Sequence, residues 1–169
     1  MQSCYAHSVM VFRNPTLGSV TYDRVMDELC GFLREQPAAA YAITIGSDSE
    51  TRSGVVEFIT AIVIHRKGFG ARYFWMATEK PPFHTLRERI WQEAILSTSL
   101  ARSVLDTLRE REAWRQDVEV HVDVGEHGPT RELIKEICGY VRALGFVVCI
   151  KPMSYAASAV ADRYTGMRV

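Results

Sequence analysis

Between Tyr41 and Ala77 the chain offers three β-rich runs whose connections are too short for crossovers, and this limits the possible folds more than any other feature. The runs are Tyr41 to Ser47 (YAITIGS), Val55 to His65 (VVEFITAIVIH) and Ala71 to Ala77 (ARYFWMA). Ser53-Gly54 separates the first two, and Arg66-Lys67-Gly68-Phe69-Gly70 separates the last two. Short glycine-containing turns join antiparallel neighbours. After Pro81-Pro82 the pattern changes. A long helix is predicted from about Thr85 to Glu112, and Val118 to Val124 alternates strictly as a strand. Gly128-Pro129 opens a further helix, with Leu133, Ile134, Ile137, Cys138, Val141 and Leu144 as its apolar stripe and Gly145 as its stop. Phe146 to Ile150 is a fifth strand, and Ser154 caps a last helix to about Tyr164. Late strand-helix-strand segments imply parallel pairing through right-handed crossovers. The expected fold is α/β: a mixed five-stranded sheet in the order β-β-β-α-β-α-β-α, flanked by helices.

Residues 1–40 read as an N-terminal extension to a main domain at 41–169, the whole forming one compact domain. Residues 1–20 carry the turn pairs Asn14-Pro15 and Gly18-Ser19 with little periodicity. Thr21 then suits an N-cap, and Val25, Met26, Leu29, Phe32 and Leu33 recur at helical spacing until Pro37. A chain near this length of 169 residues buries roughly 70% of its unfolded surface, enough for one core. Twenty basic residues balance twenty acidic ones, which argues against a protein that coats nucleic acid by charge alone. No apolar run approaches a membrane span, and no secretory signal opens the chain. Cys4, Cys30, Cys138 and Cys149 form no Cys-x-x-Cys pair, so reduced thiols in a cytoplasmic protein are expected.

Four carboxylates stand out from the surface acids. Asp48 follows the first apolar run, and Asp123 lies among four alternating valines. A buried lone carboxylate is costly unless it is paired or binds a metal. At roughly 100° per residue, Leu86, Ile90, Ser97, Leu100, Val104 and Leu108 share one stripe of the long helix. Glu93 falls in its centre and Glu88 nearly opposite. Asp162 lies near the end of a helix rich in alanine (Ala156, Ala157, Ala159, Ala161); by itself it reads as a surface acid beside Arg163. Adjacent strands can bring Asp48 and Asp123 together, and a helix packed on that face can add Glu93. An all-oxygen cluster suits Mg²⁺ or Mn²⁺. Two such ions about 3.5–4 Å apart serve an in-line phosphodiester displacement.

This order of acids on this order of elements resembles the ribonuclease H-like superfamily over residues 41–164. Three strings sharpen the match: Tyr41 to Ser49 (YAITIGSDS), Val122 to Thr130 (VDVGEHGPT) and Ile150 to Thr165 (IKPMSYAASAVADRYT). They are similar to the signature segments of the bacterial YkuK family, a largely uncharacterised group predicted to be ribonuclease H-related nucleases. The resemblance implies a divalent-metal-dependent nuclease acting on RNA, RNA–DNA hybrid or DNA by a two-metal mechanism. Asp48 and Asp123 would hold the metals, with Glu93 and Asp162 completing the sites. The alternative is a non-catalytic nucleic-acid-binding or regulatory module on the same fold. An ATP-handling relative is disfavoured, because no glycine-rich phosphate loop follows the first strand.

Other features point less sharply. From Thr60 to Ile90 six Lys/Arg face two Glu, with Phe69, Tyr73, Phe74, Trp75 and Phe83 among them. Such interleaving can follow a nucleic-acid strand, and it also marks an edge strand over a core. Phe74 and Met76 read as core, while Arg66, Lys67 and Arg72 at the hairpin tip are candidates for phosphate contacts. Gly125 to Gly128 reads as a structural turn. His121 shares a strand face with Asp123, although it and His127 read as ordinary polar residues. Lys151 and Ser154 receive no chemical role, and Cys138 and Cys149 read as core residues.

Overall fold

The computed structural model describes residues 10–124, 131–151, 159–160 and 163–164. In chain order the strands are β1 (Val11–Asn14), β2 (Gly18–Thr21), β3 (Tyr41–Arg52), β4 (Val55–Arg66), β5 (Gly70–Lys80), β6 (Glu119–His121) and β7 (Val147–Cys149). The helices are α1 (Tyr22–Glu35), α2 (Leu86–Glu110) and α3 (Ile134–Ala143), with a 3-10 turn at Arg131–Leu133. One mixed sheet takes the order β2-β1-β5-β4-β3-β6-β7.

The α/β class and the mixed sheet agree with expectation, but the described residues form seven strands rather than five. The two added strands form a hairpin over residues expected to be irregular. Asn14 Oδ1 accepts from the backbone N–H groups of Thr16 and Leu17, closing the turn that joins β1 to β2. Gly18 supplies a φ of +70° there, a left-handed conformation open to glycine. β1 then pairs antiparallel with β5 at Arg13↔Trp75, so this part of the N-terminal extension belongs to the main sheet.

β3, β4 and β5 are longer than the three predicted runs because their pairing continues beyond the apolar stretches. β3 and β4 pair from Tyr41↔Arg66 to Arg52↔Val55. β4 and β5 pair from Val56↔Lys80 to Arg66↔Gly70. β3 also pairs with β6, in parallel, at Thr44↔Glu119, Ile45↔Val120 and Gly46↔His121. β6 in turn pairs parallel with β7. Asp48 therefore sits inside a strand rather than at its end, and Asp123 lies just past β6 rather than within it.

Strand alternation divides the side chains between the two faces. Ile43, Ile45, Ile62, Ile64, Phe74, Val118, Val120 and Val122 join the main core with residues of α1, α2 and α3. Ile59, Ala61 and Trp75 face the other way, where Tyr73, Val160 and Tyr164 pack against them. Trp75 and Tyr164 stack with ring centroids 3.7 Å apart. Residues 159–160 and 163–164 are helical, so the sheet is covered on both faces.

The caps explain where the two longer helices begin. Thr21 accepts from the Arg24 N–H. At α2, Thr85 accepts from the Glu88 N–H, while the Glu88 carboxylate accepts from the Thr85 and His84 N–H groups. This capping box gives Glu88 a structural use on the exposed side of the helix. None of the helices among the described residues is long and apolar enough to cross a membrane.

Candidate functional site

The parallel register of β3 and β6 positions the two aspartates. Gly46 and His121 form the last rung of the ladder, and two residues further along each strand direction stand Asp48 and Asp123. Both belong to the alternating set that includes Thr44, Gly46, Glu119 and His121, so they share one face. Asp123 is a half-buried residue, and the Lys151 ammonium lies 2.5 Å from its Oδ1. That contact is an ion pair without hydrogen-bond alignment, since Asp123 Oδ1 is buried and makes no aligned hydrogen bond among the described residues. Lys151 arrives there because the β6–β7 ladder continues past its strands: Val122 N–H donates to Cys149 O and Lys151 N–H to Val124 O. Asp48 Oδ1 accepts from the Ser49 N–H at 2.9 Å.

Glu93 is 6% exposed, in the apolar seam of α2 as its helical phase requires. Ser49 donates to its Oε1 at 2.6 Å. One turn on, Ser97 donates to Ser47, whose hydroxyl also pairs with Thr60. A polar file thus runs between α2 and β3 within an otherwise apolar layer, and its members satisfy one another.

The Glu93 carboxyl is pushed up to about 8, chiefly by burial and further by the negative charges of Asp48 and Asp123. The Ser49 hydrogen bond and the Arg89 charge act in the opposite direction. Burial and like charge both disfavour a carboxylate. The expected face arrangement needs one correction. Glu93 packs toward Ser47 and Ser49, whereas alternation turns Asp48 to the opposite side of β3. Asp48 and Asp123 are nonetheless near enough for their negative charge to act on Glu93.

The donor set fits a hard divalent cation. On the shared face stand two neighbouring aspartates, Asp48 and Asp123, the latter with a buried Oδ1 that makes no aligned hydrogen bond among the described residues. Glu93 lies on the other side of β3, with its carboxyl pushed up chiefly by burial. Such oxygen ligands suit Mg²⁺ or Mn²⁺. Asp162 lies outside the described residues.

The basic residues at the β4–β5 turn differ from expectation. Arg66 is 7% exposed and donates to the Tyr41 hydroxyl, Phe32 O and the Glu35 carboxylate. Its guanidinium also lies 4.0 Å from the Phe32 ring centre. Arg72 pairs with Glu28 and Glu35. Both cations therefore join β4 and β5 to α1, and only Lys67 of the three is exposed. Tyr41, opposite Arg66, is separated from Asp48 by seven strand steps, roughly 23 Å. Phe74 and Met76 pack into the main core as expected.

Sequence reasoning missed Lys151. Its pairing with Asp123 arises from parallel register across a long connection, for which no local pattern exists. Two further groups lie beside His121: Glu119 on the same strand and Cys149 on the neighbouring one.

Residues 24–166 match the family described as Ribonuclease H-like. The chain is also 34% identical to the uncharacterized protein YkuK of Bacillus subtilis (strain 168), covering 92% of this chain and 96% of that protein. No solved structure matches the chain significantly. The fold, the matched span and the length-wide identity together place this chain in the YkuK family of ribonuclease H-like proteins.

Proposed function

We propose that this protein is a divalent-metal-dependent nuclease that hydrolyses phosphodiester bonds in RNA, RNA–DNA hybrid or DNA. The observation that carries this reading is the common face of Asp48 and Asp123, with Glu93 close enough for both to raise its pKa. Asp48 and Asp123 would hold two Mg²⁺ or Mn²⁺ ions, and Glu93 and Asp162 would complete the sites. When bound, the cations supply electrostatic stabilisation to the attacking and leaving oxygens of an in-line displacement. Ser49 orients Glu93 by its hydrogen bond. Lys151 neutralises Asp123 through its ion pair and would supply positive charge to a phosphate beside that carboxylate. Lys67 contacts the nucleic acid several nucleotides from the bond cut.

The test is a cleavage assay on single-stranded RNA, an RNA–DNA hybrid and structured DNA with Mn²⁺ or Mg²⁺. Cutting is expected on at least one substrate, abolished by chelator and by Asp123→Asn. Uncut substrates, bound equally well by wild type and Asp123→Asn and released by salt, would identify a nucleic-acid-binding module instead.

A further inference from the structure

Glu119, His121 and Cys149 bring three different ligand atoms to one place. A carboxylate oxygen, an imidazole nitrogen and the thiol sulfur all lie within 4.8 Å of one another. Two of the separations are 3.6 Å, from His121 Nε2 to Glu119 Oε2, and 3.9 Å, from Cys149 Sγ to the same oxygen. A tetrahedral ion with bonds of about 2.0–2.3 Å holds its ligands about 3.3–3.8 Å apart. Two of the three separations are already within a few tenths of an ångström of this spacing, and the third, at no more than 4.8 Å, closes with a shift of about 1 Å.

The sheet itself builds this arrangement. His121 and Cys149 are direct partners across β6 and β7, and Glu119 lies two residues before His121 on the same face. His121 is 4% exposed in its side chain and Glu119 is 38% exposed, so the group has a buried wall and an open mouth. Thr44, the β3 partner of Glu119, shares this face. Its hydroxyl is buried and has no hydrogen-bond partner among the described residues. A fourth, non-protein ligand would give that hydroxyl one.

We propose that Glu119, His121 and Cys149 form a second metal site, selective for zinc-class transition cations, with the fourth position open. The donor chemistry separates it from the aspartates. Thiolate and imidazole favour Zn²⁺ or Co²⁺, whereas carboxylates alone favour Mg²⁺ or Mn²⁺. A cation here ties the short strand β7 to β6, two strand steps from Asp123. The assignment is independent of the nuclease reading.

The test uses the full chain, stripped with chelator and titrated with Co²⁺ under reducing conditions. Wild type should bind one Co²⁺ with a near-ultraviolet thiolate-to-cobalt charge-transfer band and tetrahedral visible bands, both erased by Zn²⁺ and unaffected by excess Mg²⁺. Cys149→Ser should lose the charge-transfer band. Glu119→Gln, at a part-exposed position that tolerates the change, should weaken Co²⁺ binding on the order of tenfold or more. Asp48→Asn and Asp123→Asn should keep the band even where they abolish cleavage. Absence of the band in wild type, or its persistence in a folded Cys149→Ser variant, would overturn the proposal.

Discussion

Asp48 and Asp123 occupy the same step of two parallel neighbours, each two residues beyond the Gly46↔His121 rung. Two like charges at this separation repel unless a cation lies between them. Asp48→Asn should therefore raise the melting temperature in chelator and lower Mn²⁺ affinity by about tenfold or more, the equivalent of roughly 1.4 kcal/mol. Asp123→Asn should weaken Mn²⁺ binding similarly. Its gain in metal-free stability should be smaller, since it also loses the Lys151 ion pair. Isothermal titration and thermal melts check both; unchanged affinity in both variants would dismiss a shared metal centre.

Glu93 predicts a pH dependence of stability. In the unfolded chain its carboxyl titrates near the ordinary value of 4.5, whereas in the fold it is pushed up to about 8. Between these values the unfolded state has released a proton that the native state retains. Stability from this group is therefore complete below about pH 4.5 and declines as pH rises toward 8. The loss amounts to roughly a few kcal/mol. Glu93→Gln, which can still accept the Ser49 hydrogen bond, should flatten that slope in urea unfolding series from pH 5 to pH 9. An unchanged slope would assign it to other groups.

Glu88 supplies the contrast on the same helix. Glu88→Gln should leave metal binding intact, because the side chain faces solvent and glutamine also serves in a capping box. Glu88→Ala should destabilise the protein by about 1 kcal/mol or less through loss of the cap, again without altering Mn²⁺ affinity. A loss of affinity in either variant would show that α2 presents the wrong acid to the aspartates.

Tyr164 tests the covering of the aspartate face. Its ring stacks on Trp75 and its hydroxyl pairs with that of Tyr73 at 3.1 Å. Tyr164→Ala should expose Trp75, shift its fluorescence to the red, and cost about 0.5–1.5 kcal/mol for the aromatic pair beyond the lost apolar burial. Unshifted emission with unchanged stability would mean that the stack contributes nothing in solution.

The sequence made Glu93 legible because helical phase is local: the apolar stripe of α2 predicts which side chain faces inward. The long central strands were legible as β-branched runs, but not their full lengths, since Glu50 and Thr51 are held by pairing with β4 rather than by apolar character. The β1–β2 hairpin escaped notice because strands of four residues are too short to show a period. Arg66 and Arg72 looked available beside a glycine turn; their partners Glu28 and Glu35 belong to α1, far away in sequence. Lys151 and the Glu119–His121–Cys149 group were hidden for the same reason. Parallel register is fixed by tertiary packing, so neighbours across it leave no signature in either segment alone.

The outermost strands of the sheet, β2 and β7, have four and three residues, while the three longest strands lie inside. An unpaired strand border is a template on which a second chain can crystallise its own backbone, and the risk grows with the length offered. By placing its shortest strands at the margins, this sheet leaves an incoming polypeptide only a few rungs to grip. Deleting the β1–β2 hairpin would strip that guard from β5, and the expected result is slow accretion into fibrils rather than simple loss of stability.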